Sequence, residues 1–308
     1  MLSGEKILIT GPAGRIASGI TRALAKDNEV WGIARFNDPA QRQAVEALGV
    51  TTRRFDLEKC DFGDLPRDFT YLVHVAVNFE PTSYDRALRT NAEGTGFLLE
   101  HCRRAKAALV MSTVSVYKPH PDPWHPFRED DPLGDSNSHA PSPSYSVSKI
   151  SQEAVARYCA RSFNLPVTIA RMNSAYGESG GLPALHLEAI AAGRPVQTRW
   201  DPMPYSPIHS EDIAGQLEAL LDAASVPATI VNWSGDEPVS VQQWSAYMAE
   251  LLGTTASVAV TPVPGASVGA VADTTRRRSI TGPSQVSWKE GIRRMAQALY
   301  PDRVQKRS

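Results

Sequence analysis

The sequence predicts an α/β fold with a doubly wound parallel sheet, completed by a smaller C-terminal region. Three features predict it. Six short runs punctuate the first half, at 6–10, 29–34, 51–55, 71–76, 107–112 and 167–171, all but 51–55 rich in Val, Ile or Leu. That composition suits strands buried on both faces. Helix-like amphipathic stretches near 14–26, 40–48, 83–104 and 145–163 separate them, and such alternation builds right-handed βαβ units. A glycine turn directly follows the first run, where folds of this kind receive a ligand.

Past residue 171 the rhythm changes. Helical segments near 183–192, 211–224, 240–252 and 288–300 are separated by Pro- and Gly-rich connections. The expected division is a dinucleotide-binding domain at 1–171 and a mainly substrate-binding region at 172–308, with some interleaving. Residues 118–144 contain seven prolines and are expected to form a long loop. A loop of that length inside a compact domain is more often functional than accidental.

Bulk properties narrow the classes of function. The 308 residues are 42% hydrophobic, enough for a sizeable core, and the net charge of −1 gives no broad footprint for nucleic acid or an anionic membrane. Three well-separated cysteines (Cys60, Cys102 and Cys159) show no metal-ligand spacing, so no metal is expected, and they fit free thiols in a reducing compartment. The N-terminus runs directly into the first strand, leaving no room for a signal peptide, and the longest uncharged stretch is broken by Pro and Gly. A cytoplasmic protein is expected, acting on a small molecule.

The first turn reads Thr10-Gly11-Pro12-Ala13-Gly14-Arg15-Ile16-Ala17. Glycines there let the backbone approach a pyrophosphate, and the following helix N-terminus offers N–H donors and partial positive charge. At the end of the second strand an NAD site usually carries an acidic residue for the ribose 2′-OH. This chain has Ala34-Arg35 instead. A guanidinium suits a 2′-phosphate, and Arg15 could approach the same group, so NADP is favoured over NAD. On the alternative reading Arg35 is only a solvated strand end.

Tyr145-Ser146-Val147-Ser148-Lys149 opens the helix after the proline-rich loop. Positions i and i+4 share a helix face, so a phenol and an ammonium point the same way. A free phenol has a pKa of about 10, too high for a base near neutrality, and a neighbouring cation favours the phenolate. Ser112-Thr113-Val114-Ser115-Val116-Tyr117 stands at the end of the fifth strand.

Together these segments resemble the extended short-chain dehydrogenase/reductase family, also called the NAD-dependent epimerase/dehydratase family. The resemblance continues through Asp56-Leu57, His74-Val75-Ala76, Asn91-x-x-Gly94-Thr95, Arg171 with Tyr176-Gly177, and Ile208-His209-x-x-Asp212. It implies that Thr113 holds the substrate oxygen, that Tyr145 is the acid or base, and that Lys149 binds the nicotinamide ribose and tunes Tyr145. Asn91 would support the site, Asp56 and Leu57 would meet the adenine, and Val75 and Ala76 would line the ribose and pyrophosphate. It also implies a homodimer paired through the helices at 83–104 and 145–163.

Departures from the family pattern shape the substrate expectation. Val114 and Ser115 stand where family dehydratases and decarboxylases place acidic residues, which speaks against both reactions. The segment 203–207, where an arginine for a diphosphate often stands, offers none, Ser174 replaces an asparagine with Asn173 adjacent, and 261–272 carries no charge, which leaves Arg194 and Arg199 as possible substitutes. The expected pocket, including Asn78, Ser115, Asn173, Ser174, Tyr176 and Tyr205, therefore suits a carbonyl or secondary alcohol that is not a nucleotide sugar. On this reading the chain is an NADP-dependent oxidoreductase. Two alternatives stand beside it: a nucleotide-sugar or sugar epimerase with internally recycled cofactor, and a non-catalytic NADP-binding regulator.

Overall fold

The computed structural model describes residues 2–79, 83–136 and 142–304. The first half alternates as expected through β1 (Lys6–Thr10), α1 (Ala17–Leu24), β2 (Glu29–Ala34), α2 (Pro39–Glu46), β3 (Thr51–Arg54) and β4 (Tyr71–His74). It continues through α3 (Tyr84–Ala87), α4 (Gly94–His101), β5 (Ala107–Thr113), α5 (Tyr145–Phe163) and β6 (Val167–Met172). Alternate side chains of each strand leave opposite faces of the sheet. Ile7, Ile9 and Val73 accordingly join one buried cluster with α1, while Leu8, Leu72 and Val110 join another beneath α4 and α5.

The expected helix over 83–104 is not one α-helix. A π-helical turn at Leu88–Glu93 separates α3 from α4, with the Gly94 N–H reaching back to the Arg89 carbonyl. Gly94 is needed at this crossing, because a Cβ there would sit 2.7 Å from the Leu57 carbonyl oxygen. Within the proline-rich stretch, residues 137–141 lie outside the described residues.

Beyond β6 come β7 (Ala175–Gly177), β8 (Gly180–Gly181), α6 (Leu182–Ala191), β9 (Val196–Thr198), β10 (Pro204–Tyr205), β11 (Ile208–His209) and α7 (Ser210–Asp222). The chain then forms β12 (Thr229–Trp233), β13 (Val239–Ser240), α8 (Val241–Leu251), β14 (Val258–Val260), α9 (Thr275–Thr281) and α10 (Trp288–Leu299). The sheet has seven strands in the order β12-β6-β5-β4-β1-β2-β3, all paired in parallel. Its last strand thus comes from beyond residue 171. Strand order reverses between β1 and β4, and the crevice at the carboxyl ends of the strands there is where such sheets bind ligands.

Helices α6, α8 and α10 enclose a third cluster around Leu187, Trp244, Met248, Ile292 and Met295. The β7–β8 segment meets the first turn of α1 directly: Ser18 Oγ donates to Ser179 Oγ at 3.1 Å. Among the described residues, no helix is long and apolar enough to cross a membrane.

Candidate active site

A cavity of about 1030 Å³ opens at the switch point, lined from Thr10 through Thr113, Tyr145 and Lys149 to Leu182 and Ser210. That is the upper end of small-ligand pockets, which run to about 1,000 Å³. Gly11 adopts φ +65°, and a Cβ on it would lie 3.3 Å from the Ala76 Cβ; one on Gly14 would lie 3.0 Å from the Gly11 carbonyl oxygen. Backbone therefore forms the wall here, as a cradle for a pyrophosphate requires. Gly11, Gly14, Arg15, Ile16, Arg35, Asp56, Leu57, Val75 and Ala76 all line this cavity. These residues fit a nicotinamide dinucleotide.

Thr113 ends β5 and Tyr145 begins α5, and their hydroxyls are hydrogen-bonded. The Tyr145 ring stacks on Phe79, with centroids 4.8 Å apart. Burial pushes the phenol up to about 12, opposed by the bond to Thr113. Lys149 lies one helical turn along and is buried, its Nζ donating to the Met111 carbonyl oxygen at 2.6 Å.

Burial pulls Lys149 down from 10.5 to about 7, opposed by the Glu153 carboxylate. Above pH 10.5 the amine is neutral folded or unfolded, so its burial costs nothing through this equilibrium. Below about pH 7 it is charged in both states and the cost is complete, on the order of 5 kcal/mol as an upper bound. Lys149→Met, which keeps length without charge, is therefore expected to abolish turnover yet raise the thermal midpoint at neutral pH. The gain should shrink as pH approaches 10.5. A gain that grew with pH would contradict this assignment.

Asn91 does not reach the phenol or the ammonium. From the π-turn its Oδ1 accepts from the Asn78 N–H at 2.8 Å, and its Nδ2 donates to the Asn78 carbonyl and to Ser148 Oγ, both at 3.1 Å. It braces the segment after β4 against the start of α5. π-turns inside helices recur at functional sites for this kind of reason: they re-aim a side chain.

The expected substrate residues divide. Asn78, Asn173, Ser174 and Tyr176 line the cavity, whereas Ser115 and Tyr205 are not among its lining residues. The Ser115 carbonyl accepts from Ser136 Oγ, while Tyr205 stacks on Trp244 with centroids 5.6 Å apart. The Tyr176 hydroxyl points to the Trp288 carbonyl. Asn173 donates to the Ala270 carbonyl at 2.7 Å, tying the C-terminal region to the rim, and the buried Ser174 hydroxyl has no partner among the described residues.

Several lining residues escaped the sequence reading. Ser179, Gly180, Gly181 and Leu182 bring the β7–β8 hairpin over the glycine turn. Their signal was the Gly180-Gly181 pair, whose φ values of +113° and +117° favour glycine. Glu153 also escaped notice: it is buried against Arg171, and Ser112 Oγ donates to it at 2.5 Å.

Comparison with known proteins agrees with this architecture. The family model for the NAD dependent epimerase/dehydratase family matches residues 7–225, and the chain belongs to that family. It is similar to dTDP-glucose 4,6-dehydratase 1 of Escherichia coli K12, at 28% identity over 199 residues, 56% of this chain and 55% of that protein. A dTDP-glucose 4,6-dehydratase of Neisseria meningitidis serogroup B is 24% identical over 226 residues, covering 65% and 62%. The chain thus spans little more than half the length of the curated relatives it matches.

Among solved structures, UDP-glucuronic acid 4-epimerase from Bacillus cereus with UDP-glucuronic acid and NAD has a TM-score of 0.82 at 22% identity, covering 96% of this chain and 100% of that one. UDP-N-acetylglucosamine 4-epimerase from Methanobrevibacter ruminantium has a TM-score of 0.85 at 18% identity, covering 97% and 99%. At these identities the structural likeness shows the fold.

The relatives correct the substrate expectation. The sequence matches are named as dTDP-glucose dehydratases and these structural neighbours as UDP-sugar epimerases, so the main reading, an oxidoreductase for a molecule outside the nucleotide sugars, does not stand. It took two missing arginines as a proxy for a whole binding surface. An arginine absent from 203–207 removes one possible contact, while Arg15, Arg35 and Arg86 line the cavity elsewhere.

Proposed function

We propose that this chain is a nucleotide-sugar epimerase that oxidises and re-reduces one hydroxyl-bearing carbon with an internally recycled nicotinamide. One observation carries the choice of epimerisation over dehydration. Among the described residues, the carboxylates lining the cavity are Asp38, Asp56 and Glu58, all at the β2–β3 end, whereas the end at Tyr145 has hydroxyls, amides and an ammonium. Eliminating water needs an acid and a base at carbons beside the one oxidised, in addition to the group that takes the hydroxyl proton. Val114 after Thr113 packs instead on Tyr117 and Phe127.

The bound nicotinamide supplies the hydride acceptor and donor. Tyr145 takes the sugar hydroxyl proton and returns it, Thr113 holds the same oxygen, and Lys149 stabilises the phenolate electrostatically. The experiment is incubation with UDP-glucose, UDP-glucuronic acid and dTDP-glucose, with separation of epimers and continuous nicotinamide absorbance. Epimer formation without net absorbance change is expected. Loss of water from dTDP-glucose, or inertness toward every nucleotide sugar, would overturn the reading.

For the cofactor we propose NADP over NAD, supported by Arg35 on the cavity wall at the end of β2. Asp38, the nearby carboxylate, is engaged in capping α2 through the Ala40 N–H at 2.9 Å. The Bacillus cereus neighbour was captured with NAD, so the ratio of the two affinities is the informative number. Arg35→Ala is expected to weaken NADP about tenfold or more, the worth of a charge-assisted contact, and to leave NAD nearly unchanged. Equal loss for both nucleotides would remove the assignment.

A homodimer through α4 and α5 is also proposed. Phe97 and Tyr158 on these helices are exposed large side chains, apolar surface of the kind that association covers. A monomer mass in sedimentation would refute it.

A further inference from the structure

The glycine turn and the catalytic helix are joined by a buried run of hydrogen bonds through His74. Thr10 Oγ1 accepts from the backbone N–H of Val75 at 3.0 Å and of Ala76 at 2.9 Å. Those two donors fill both lone pairs of the hydroxyl. Its own proton is left to point at His74 Nδ1, 2.8 Å away. A ring nitrogen that accepts carries no proton, so the neutral ring bears its proton on Nε2. That atom is 2.8 Å from Thr95 Oγ1, which donates in turn to the Asn91 carbonyl at 2.6 Å.

Gln152 Nε2 lies 2.8 Å from Thr95 Oγ1 and 3.3 Å from His74 Nε2. Turning that amide over changes which atom meets Thr95 but leaves the imidazole proton in place. Thr10, His74, Thr95 and Gln152 are all buried, so water cannot substitute for a broken link. Burial, with the Lys149 charge as a second cause, holds the imidazole neutral, its pKa lowered to about 3.

We infer that His74 is a positioning residue whose fixed Nε2–H tautomer serves two sites at once. Through Nδ1 it orients Thr10, which clamps the Val75–Ala76 turn against Gly11 in the dinucleotide cradle. Through Nε2 it holds Thr95 on the π-turn carbonyl, and so aims Asn91 at Asn78 and at Ser148 beside Lys149. The inference rests on the dinucleotide assignment of the Gly11 turn and is independent of which sugar is turned over.

The full-length protein tests it first by a readout that needs no activity assay. Imidazole 15N shifts should report a bare Nδ1 and a protonated Nε2 for His74, unchanged from mildly alkaline to mildly acidic solution. Two half-replacements then separate the arms, because an asparagine amide approximates the Nδ1 position and a glutamine amide the Nε2 position. His74→Asn should keep NAD and NADP affinity, read by fluorescence titration, within about twofold and lower kcat about tenfold, as loss of one buried bond predicts. His74→Gln should weaken nucleotide affinity about tenfold and spare kcat within about threefold. Thr95→Val removes the Nε2 arm beyond His74, with its bonds to Asn91 and Gln152, and should copy the kcat loss alone.

A proton on Nδ1, or proportional loss of affinity and turnover in all three variants, would overturn the inference. Failure of the unaltered protein to bind either nucleotide would instead refute the dinucleotide assignment.

Discussion

Tyr145→Phe is expected to lower turnover by about 100- to 10,000-fold, the range for removing a general acid–base, while nucleotide affinity changes little. The substitution keeps the ring that stacks on Phe79 and deletes only the oxygen bonded to Thr113. Affinity should survive because the Gly11 turn, Arg15, Arg35 and the Asp56–Leu57 segment line the far end of the cavity, away from the phenol.

The cost is large because Tyr145 is the only phenol among the described residues that line that end of the cavity beside Thr113 and Lys149. With its pKa pushed up to about 12, the phenol is protonated at neutral pH in this state, and it becomes a base only through charge placed beside it. Lys149 supplies such a charge from one turn away, at a helix spacing that puts both groups on one face. Because Lys149 itself loses its proton above about 7, the parent should show turnover that rises and then falls with pH, and the Phe variant should lose that profile. Single-turnover measurement of the bound nicotinamide separates this from slow product release. Parental turnover in Tyr145→Phe would eliminate the phenol as proton carrier.

The legible parts of this molecule were those encoded over short distances in sequence. β1, β2 and α5 coincide with their expected ranges because each is a single uninterrupted pattern. Tyr145 and Lys149 could be placed together since an i, i+4 pair fixes geometry locally, whereas Thr113 was joined to them by the family resemblance. The place of β12 in this sheet was not foreseen, because its partner β6 lies some sixty residues earlier in the chain. The π-turn was hidden as well, since the close approach of Gly94 to Leu57 at its end is a contact between segments far apart in the sequence.

Tyr205 and Ser115 show a further limit. Position along an element says where a Cα lies, whereas Trp244 packing against the Tyr205 ring decides which way the side chain faces. His74 and Glu153 were invisible as supporting residues because their partners lie far off, His74 meeting Gln152 across 78 positions and Ser112 meeting Glu153 across 41. Substrate class was misread because it depends on the summed lining of a cavity, not on one arginine position.

The Glu153–Arg171 pair should show the largest stability effect. Arg171 is buried, and its Nε and NH2 donate to the two oxygens of the buried Glu153 carboxylate at 2.9 and 2.8 Å. The same guanidinium reaches the Tyr117 hydroxyl at 3.1 Å and the Glu129 carbonyl at 2.9 Å, which ties β6 to the proline-rich loop. Arg171→Met leaves a buried carboxylate with Ser112 and the Lys149 charge as its company, and should cost about 3–5 kcal/mol.

Acidification should relieve part of that loss, with the sign set by the orphaned group. An unpaired buried carboxylate is costly through its charge, and protonating it removes that charge. Replacing both partners, as in Glu153→Leu with Arg171→Met, should restore most of the stability, because the desolvation penalty disappears along with the attraction. It should not restore turnover. Ser112 would lose the anchor that holds the end of β5, and with it Thr113, against α5, and Lys149 would lose the carboxylate that favours its ammonium. Urea midpoints and turnover of the parent, single and double variants at neutral and mildly acidic pH separate the two roles. A double variant as active as the parent would show that the pair is needed for folding alone.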